Sequence, residues 1–212
     1  MTAPRQSSSA ALRNRQPIGE VLARVLPPGG TVLEIAAGTG EHAVYLASRF
    51  SNHPWLPTDC NPLALESIQA WREAEPSPNL LAPIFLDVET TPWPVESTPP
   101  PEPVSAVLAI NLIHISPWSA TEALVTGAGR ILPPGGLLYL YGPYRRRNRA
   151  LEPSNEAFDL SLRQRNPLWG LRELETVAAL AQTEGFTLAA TVPMPAQNLS
   201  LIFTRDNLPE TC

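Results

Sequence analysis

Glu34 and the run Gly38-Thr39-Gly40 are the first residues whose types and spacing could do chemistry. An apolar stretch, Thr31 to Ala36, leads into them, and a helical apolar pattern at Ala43, Val44, Leu46, Ala47 and Phe50 leads away. Glycines at a strand-to-helix turn let the backbone pass close to a ligand, and the helix opens with free amides. Glu34 precedes the turn, where a carboxylate suits a cationic group and would repel a diphosphate. Asp59 follows about 20 residues after the glycines and can accept hydrogen bonds from both hydroxyls of a ribose. Asp87 can accept from an exocyclic amine while the amide of the adjacent Val88 donates to the ring. A nucleoside with a cationic amino-acid end satisfies all three carboxylates, so S-adenosyl-L-methionine is the expected cofactor. Ala36, His42 and Cys60 complete the positions expected to line it, with Asn111 at its far side.

A rival reading uses the same residues. Gly38-Thr39-Gly40-Glu41-His42-Ala43 fits the G-x-G-x-x-G/A fingerprint of dinucleotide folds, with Asp59 as its ribose carboxylate. Glu34, Asp87-Val88 and the arrangement of the last two strands favour the S-adenosyl group over a nicotinamide cofactor. Asp59 also has a plainer role available, capping the helix that follows, although Asn61 is equally placed for it.

Methyl transfer is an in-line displacement and needs an aligned acceptor, either already deprotonated or beside a base. Asn111 and His114 stand at the end of a fourth apolar strand, where an acceptor would enter. The expectation is that Asn111 orients it and His114 serves as general base, with Tyr144 as a third candidate for the catalytic group. Acceptor-binding candidates are Asn14, Tyr141, Tyr144, Asn155, Phe158, Trp169 and Asn198. Arg145-Arg-Arg-Asn-Arg149 is the one dense basic cluster, able to grip a carboxylate or phosphate but also readable as a solvated loop.

These residues need elements to hold them. A loose tail is expected over residues 1–10, then a single domain over 11–212. A helix is expected from Pro17 to about Val25, then a strand to Ala36, a helix after the glycines and a strand at Trp55–Asp59. Pro57 sits awkwardly in that strand because it removes a ladder donor. A helix capped by Asn61 runs to about Trp71, followed by a strand at Leu80–Val88. Six prolines within residues 92–103 predict a loop. A strand over Val104–Ile113, a helix at 120–132 and a strand at Leu137–Tyr141 come next. Residues 143–172 show weak periodicity, as a segment carrying the acceptor pocket would. A helix over 173–184 and strands near 187–192 and 199–204 end the pattern. The six-residue link between those strands is too short for a parallel crossover, so they form a hairpin. The fold class is therefore α/β, a Rossmann-like, mostly parallel seven-stranded sheet with helices on both faces and a C-terminal antiparallel hairpin.

Composition narrows the field further. The 212 residues carry a net charge of −5, with 43% hydrophobic and 17% charged residues, which fits one globular domain. All 15 basic residues are arginine, so Schiff-base chemistry and a P-loop lysine are excluded. Without a broad basic surface, nucleic acid is disfavoured as a partner. No apolar run approaches a membrane span or a signal-peptide core. Cys60 and Cys212 make no disulfide framework and no metal-ligand spacing, so no metal is expected and a reducing, cytoplasmic setting is.

Several phrases together resemble one family. They are Leu33–Ala43 (LEIAAGTGEHA), Asn111–Trp118 (NLIHISPW), Leu140–Tyr144 (LYGPY), Pro153–Asp159 (PSNEAFD), Trp169–Arg172 (WGLR) and Met194–Asn198 (MPAQN). The chain is similar to the methyltransferase-like protein 26 family over about residues 10–205, and the resemblance implies a class I methyltransferase fold and S-adenosylmethionine. Two departures stand out. The family's N-terminal segment tends to carry Glu before Arg-Asn where this chain has Leu12, and Gln197 stands where the family more often has Asn. The expected activity is methyl transfer to a small molecule; an S-adenosyl-binding regulator without transfer, and less so an NAD-dependent oxidoreductase, are the alternatives.

Overall fold

Strand β1 (Thr31–Ile35) is buried at every residue, because it lies at the centre of a sheet covered on both faces. A computed structural model describes residues 5–207; Cys212 and the first four residues of the expected tail lie outside them. Among the described residues seven strands form one sheet in the order β3-β2-β1-β4-β5-β7-β6. They are β2 (Trp55–Asp59), β3 (Ile84–Phe85), β4 (Val104–Ile110), β5 (Leu137–Gly142), β6 (Phe186–Met194) and β7 (Asn198–Arg205). The first five pair in parallel, and β7 runs antiparallel to both β5 and β6. The hairpin expected at the C-terminus is therefore present, its turn reduced to Pro195–Gln197.

Alternation along the strands splits the core in two. Val32, Leu108 and Tyr139 meet α1 (Ser9–Val25) and α2 (Glu41–Arg49), through Ile18, Leu22, Leu46 and Ala47. Leu33, Val107 and Leu138 meet α5 (Trp118–Ile131) and α7 (Leu174–Thr183) on the other face. α3 (Pro62–Ala74) follows β2 and opens as expected, with Asn61 Oδ1 accepting from the Leu63 amide at 3.0 Å. The strand order reverses between β1 and β4, and in open α/β sheets ligands bind at such a switch, over the carboxyl ends of the strands.

Six expectations are corrected. α1 begins at Ser9 and carries Pro17 inside it, because Ala11, Asn14, Ile18, Val21 and Leu22 form one buried stripe that outweighs the bond Pro17 removes. Residues 5–8 are not a loose tail. The Gln6 amide donates to Ser67 Oγ at 2.8 Å, its carbonyl accepts from Trp71 Nε1 at 2.8 Å, and Ser7 Oγ donates to Glu41 at 2.9 Å. The third strand shrinks to two residues, since Pro83 offers no amide; Leu80 makes only an isolated bridge to Trp55. Within 92–103 a one-turn helix, α4 (Pro94–Ser97), is anchored by fully buried Trp93. β4 stops at Ile110, after which Leu112–His114 forms a tight 3₁₀ turn, and the segment 143–172 contains α6 (Pro153–Arg165). Pro57 does sit within β2. Trp55 and Asp59 bond toward the 79–86 side, so Pro57's missing donor faces the stretch where β3 has not yet begun.

Candidate functional site

The glycine turn is built by backbone conformations that side chains resist. Ala36, Gly38 and Gly40 have φ of 53°, 59° and 91°. At Gly40 a Cβ would stand 2.8 Å from the Cα of Ile68, so the glycine is what lets α2 start against α3. At Gly38 a Cβ would meet only the Ala36 carbonyl, at 4.0 Å, which leaves the backbone approachable from that side. The Gly38 amide donates to Asp59 Oδ2 at 2.9 Å, and the Asn61 amide donates to Asp59 Oδ1 at 2.9 Å. The helix cap therefore falls to Asn61, and Asp59 instead ties the glycine turn to the start of that cap.

The ends of β2 and β3 add to this acidic edge. Cys60 is exposed, and its thiol is pushed up by burial of part of the residue and by the negative charges of Asp59 and Asp87. Asp87 Oδ1 accepts from the Glu89 amide at 3.0 Å, and the Val88 carbonyl accepts from Trp93 Nε1 at 3.1 Å. Glu34 lies deeper than the sequence suggested. It is 1% exposed, its Oε2 accepts from Trp55 Nε1 at 2.7 Å, and burial raises its pKa to about 7. Thr39 Oγ1 donates to Glu41 at 3.1 Å. Glu41 also holds Ser7 and the Ser8 amide, a tether that sequence reasoning missed.

α1 closes the near side. Asn14 Oδ1 lies 2.6 Å from His42 Nε2, and burial lowers the His42 pKa to about 4, so the imidazole is neutral. Tyr141 is buried on the same face; burial pushes its hydroxyl up, partly offset by the side chains of Asn14 and Asn198 and the charge of Arg13. Asn14, His42, Tyr141 and Asn198 therefore form one cluster, although the sequence assigned His42 to the cofactor and the rest to the acceptor.

The far side is different in kind. Asn111 takes a left-handed φ of 64°, its amide donating to the Tyr141 carbonyl at 2.8 Å, and turns the chain into the 3₁₀ segment. His114 is wholly buried, its ring edge-on to Tyr144 with centroids 4.9 Å apart. Neither ring nitrogen of His114 nor the Tyr144 hydroxyl has a hydrogen-bond partner among the described residues. Burial, with the charge of Arg172 nearby, lowers the His114 pKa to about 3. Gly142 makes the close approach possible, since a Cβ there would fall 2.4 Å from His114 Nε2.

Tyr144 also lines a cleft of about 250 Å³, together with Arg146, Arg149, Asn155 and Asn198. Of the acceptor candidates, then, Tyr144, Asn155 and Asn198 share the cleft. Phe158 is 38% exposed on α6, and Trp169 stacks under Arg165, with 5.8 Å from guanidinium to ring; neither lines it. Two residues outside the expected site hold this side together. Asp159 accepts from Arg145 at 2.7 Å, Arg163 at 3.0 Å and the Leu171 amide at 2.7 Å. Arg172 donates to the carbonyls of Ile113 at 2.9 Å and Ser116 at 2.7 Å. Both lie in the phrases PSNEAFD and WGLR, which were the available signal.

The donor set fits S-adenosylmethionine. Asp59 and Asp87 offer acceptors at the ends of adjacent strands, and the open backbone at Gly38 admits a ligand beside them. A diphosphate would meet the same carboxylates.

The fold is that of class I methyltransferases. An O-methyltransferase family protein from Burkholderia thailandensis superposes with a TM-score of 0.75 at 16% identity, over 94% of this chain and 58% of that one. An O-methyltransferase family 2 protein from Planctomyces limnophilus, solved with apigenin, gives 0.72 at 17% identity over 91% and 61%. Human N-acetylserotonin methyltransferase, solved with SAM, gives 0.70 at 13% identity over 93% and 53%. This chain thus spans between half and two-thirds of those proteins' length. A family described as "Protein of unknown function (DUF938)" matches residues 5–205, almost all of the sequence, and the protein belongs to that family.

Proposed function

We propose that the protein is an S-adenosylmethionine-dependent methyltransferase acting on a small molecule. The observation that carries this reading is one end of the sheet bearing an acidic glycine turn at the topological switch and, beyond β5, a separate polar cleft. S-adenosylmethionine, when bound, supplies an electrophilic methyl group. Asp59 would take the ribose hydroxyls and Asp87 the adenine amine, with Ala36, Thr39, Cys60 and Val88 around them and Glu34 acting from beneath the turn. Asn111 would orient the acceptor between the two regions. A His114 imidazole with a pKa near 3 is a weak base, so it suits accepting a hydrogen bond more than removing a proton. The acceptor is then one that is nucleophilic without strong base assistance.

The motifs at 33–43, 111–118 and 194–198 also support placing the chain with the methyltransferase-like protein 26 group, working in the cytoplasm. That same enclosed, weakly basic His114 favours a second reading, an S-adenosyl-binding protein that does not transfer methyl.

Calorimetric titration with S-adenosylmethionine, S-adenosylhomocysteine and NAD tests the first step. Micromolar binding of the S-adenosyl pair, weakened roughly tenfold or more by Asp59→Ala, is expected. Binding of NAD alone, or of none of the three, overturns the reading. Binding without turnover on any metabolite fraction would select the regulator.

A further inference from the structure

We propose that the cleft beside Tyr144 takes an acceptor carrying an oxyanion, a carboxylate or a phosphate, gripped by Arg146 and Arg149. This deepens the methyltransferase reading and rests on it for the word acceptor.

The arginine-rich loop divides into two pairs of different purpose. Arg145 Nη2 bonds Asp159 Oδ2 at 2.7 Å, and Arg147 Nε bonds Glu173 Oε1 at 3.0 Å. The Arg145 amide and carbonyl are also tied, to Arg172 and Leu174, at 2.9 Å each. These contacts fix the loop to α6 and to the start of α7. Among the described residues Arg146 and Arg149 make no salt bridge, and both line the cleft. Glu152 is the acid on that lining, so these three side chains leave a net charge of +1. A guanidinium presents paired N–H donors matching the two oxygens of a carboxylate or phosphate, so two of them facing one cleft form an oxyanion receptor.

A second observation concerns Tyr144, which lines the same cleft. Tyr144 is 4% exposed and its hydroxyl has no partner, although a buried hydroxyl ordinarily finds one. The opposite wall is held in a costly conformation: Ala196 and Gln197 both take left-handed φ, 55° and 58°. Asn155 Nδ2 donates to the Gln197 carbonyl at 3.4 Å, joining that wall to α6. Left-handed non-glycine residues are strained, and such strain tends to gather at ligand sites. An oxyanion is also consistent with an acceptor that needs no strong base.

The test titrates the full chain with inorganic phosphate and, separately, with benzoate, alongside S-adenosylhomocysteine. At least one anion is expected to bind with millimolar or tighter Kd, and which one binds identifies the group. Arg146→Gln with Arg149→Gln should weaken it tenfold or more, while Arg147→Gln changes it less than twofold and S-adenosylhomocysteine binding is unaltered in both. Failure of both anions to bind overturns the proposal, as does an equal loss in Arg147→Gln, which would mark diffuse surface charge. If S-adenosylhomocysteine fails to bind while an anion binds through Arg146 and Arg149, the methyltransferase reading falls and the oxyanion site stands.

Discussion

The two halves of this sheet edge treat their polar atoms in opposite ways. Around β1 and β2 nearly every charged or polar group is engaged: Asp59 by two amides, Glu34 by Trp55, His42 by Asn14, and Glu41 by the strap of residues 7–8. Around the ends of β4 and β5, His114 and Tyr144 bury three polar atoms with no partner. The first region is held by its own bonds because its binding surface is backbone, which must be fixed before a ligand arrives. The second keeps hydrogen-bonding capacity in reserve, at a cost of about 1–3 kcal/mol per orphaned group, which is the pattern of a site completed by its ligand.

Breaking the first region should have the largest effect. Gly40→Ala combines a φ of 91° with a Cβ only 2.8 Å from the Ile68 backbone, so a stability loss of about 4 kcal/mol is expected in thermal unfolding. Gly38→Ala carries the conformational penalty alone, about 1 kcal/mol, yet plants a methyl on the open face of the turn. Its S-adenosylhomocysteine affinity should fall by more than its stability does. Equal stability losses in the two variants would contradict this account of the turn.

A smaller effect follows from Glu34. Its pKa is about 7 in the folded chain against an ordinary 4.5, so the folded state binds more protons between those values. Glu34's own contribution should therefore fall as pH rises from 4.5 to 7 and level off above it, by about 3 kcal/mol at most. Glu34→Gln keeps an acceptor for Trp55 and should remove this slope. His42, lowered to about 4, and His114, lowered to about 3, act with opposite sign and lose stability as pH drops below 6.5, so the variant should show a steeper acid-side loss than the parent, with Glu34's opposing contribution removed. Urea titrations at several pH values read both.

The smallest change in stability is expected on the unsatisfied side. Tyr144→Phe deletes an unpartnered hydroxyl and should leave stability within about 1 kcal/mol of the parent, with S-adenosylhomocysteine binding unchanged. Anion binding in the cleft should weaken several-fold. A large stability loss would mean that the Tyr144 hydroxyl is structural, and the contrast between the two regions would fail.

Legibility followed sequence separation. The β1 strand, its glycine turn, the Asn61-Pro62 helix start and the hairpin depend on neighbours within a few residues, through hydrophobic period, φ preference and capping, and the structure contains each of them. The first turns of α1 are illegible because Pro17 is a local breaker, and the buried stripe that carries the helix through it is a tertiary contact. The docked strap at residues 5–8 rests on partners 33 to 65 residues away, which no local pattern reveals.

The sequence by itself therefore determined the succession of the seven strands, the acidic glycine turn and the absence of lysine chemistry, because these are fixed by residue type and spacing. Only the tertiary structure decided which arginines of the run are spent on Asp159 and Glu173 and which face the cleft. It also decided that His114 is sealed against Tyr144 with both nitrogens unpartnered, and that Glu34 lies beneath the turn. Burial and ion pairing are properties of the assembled packing, where groups distant in the chain compete for the same partners and the same exclusion from water.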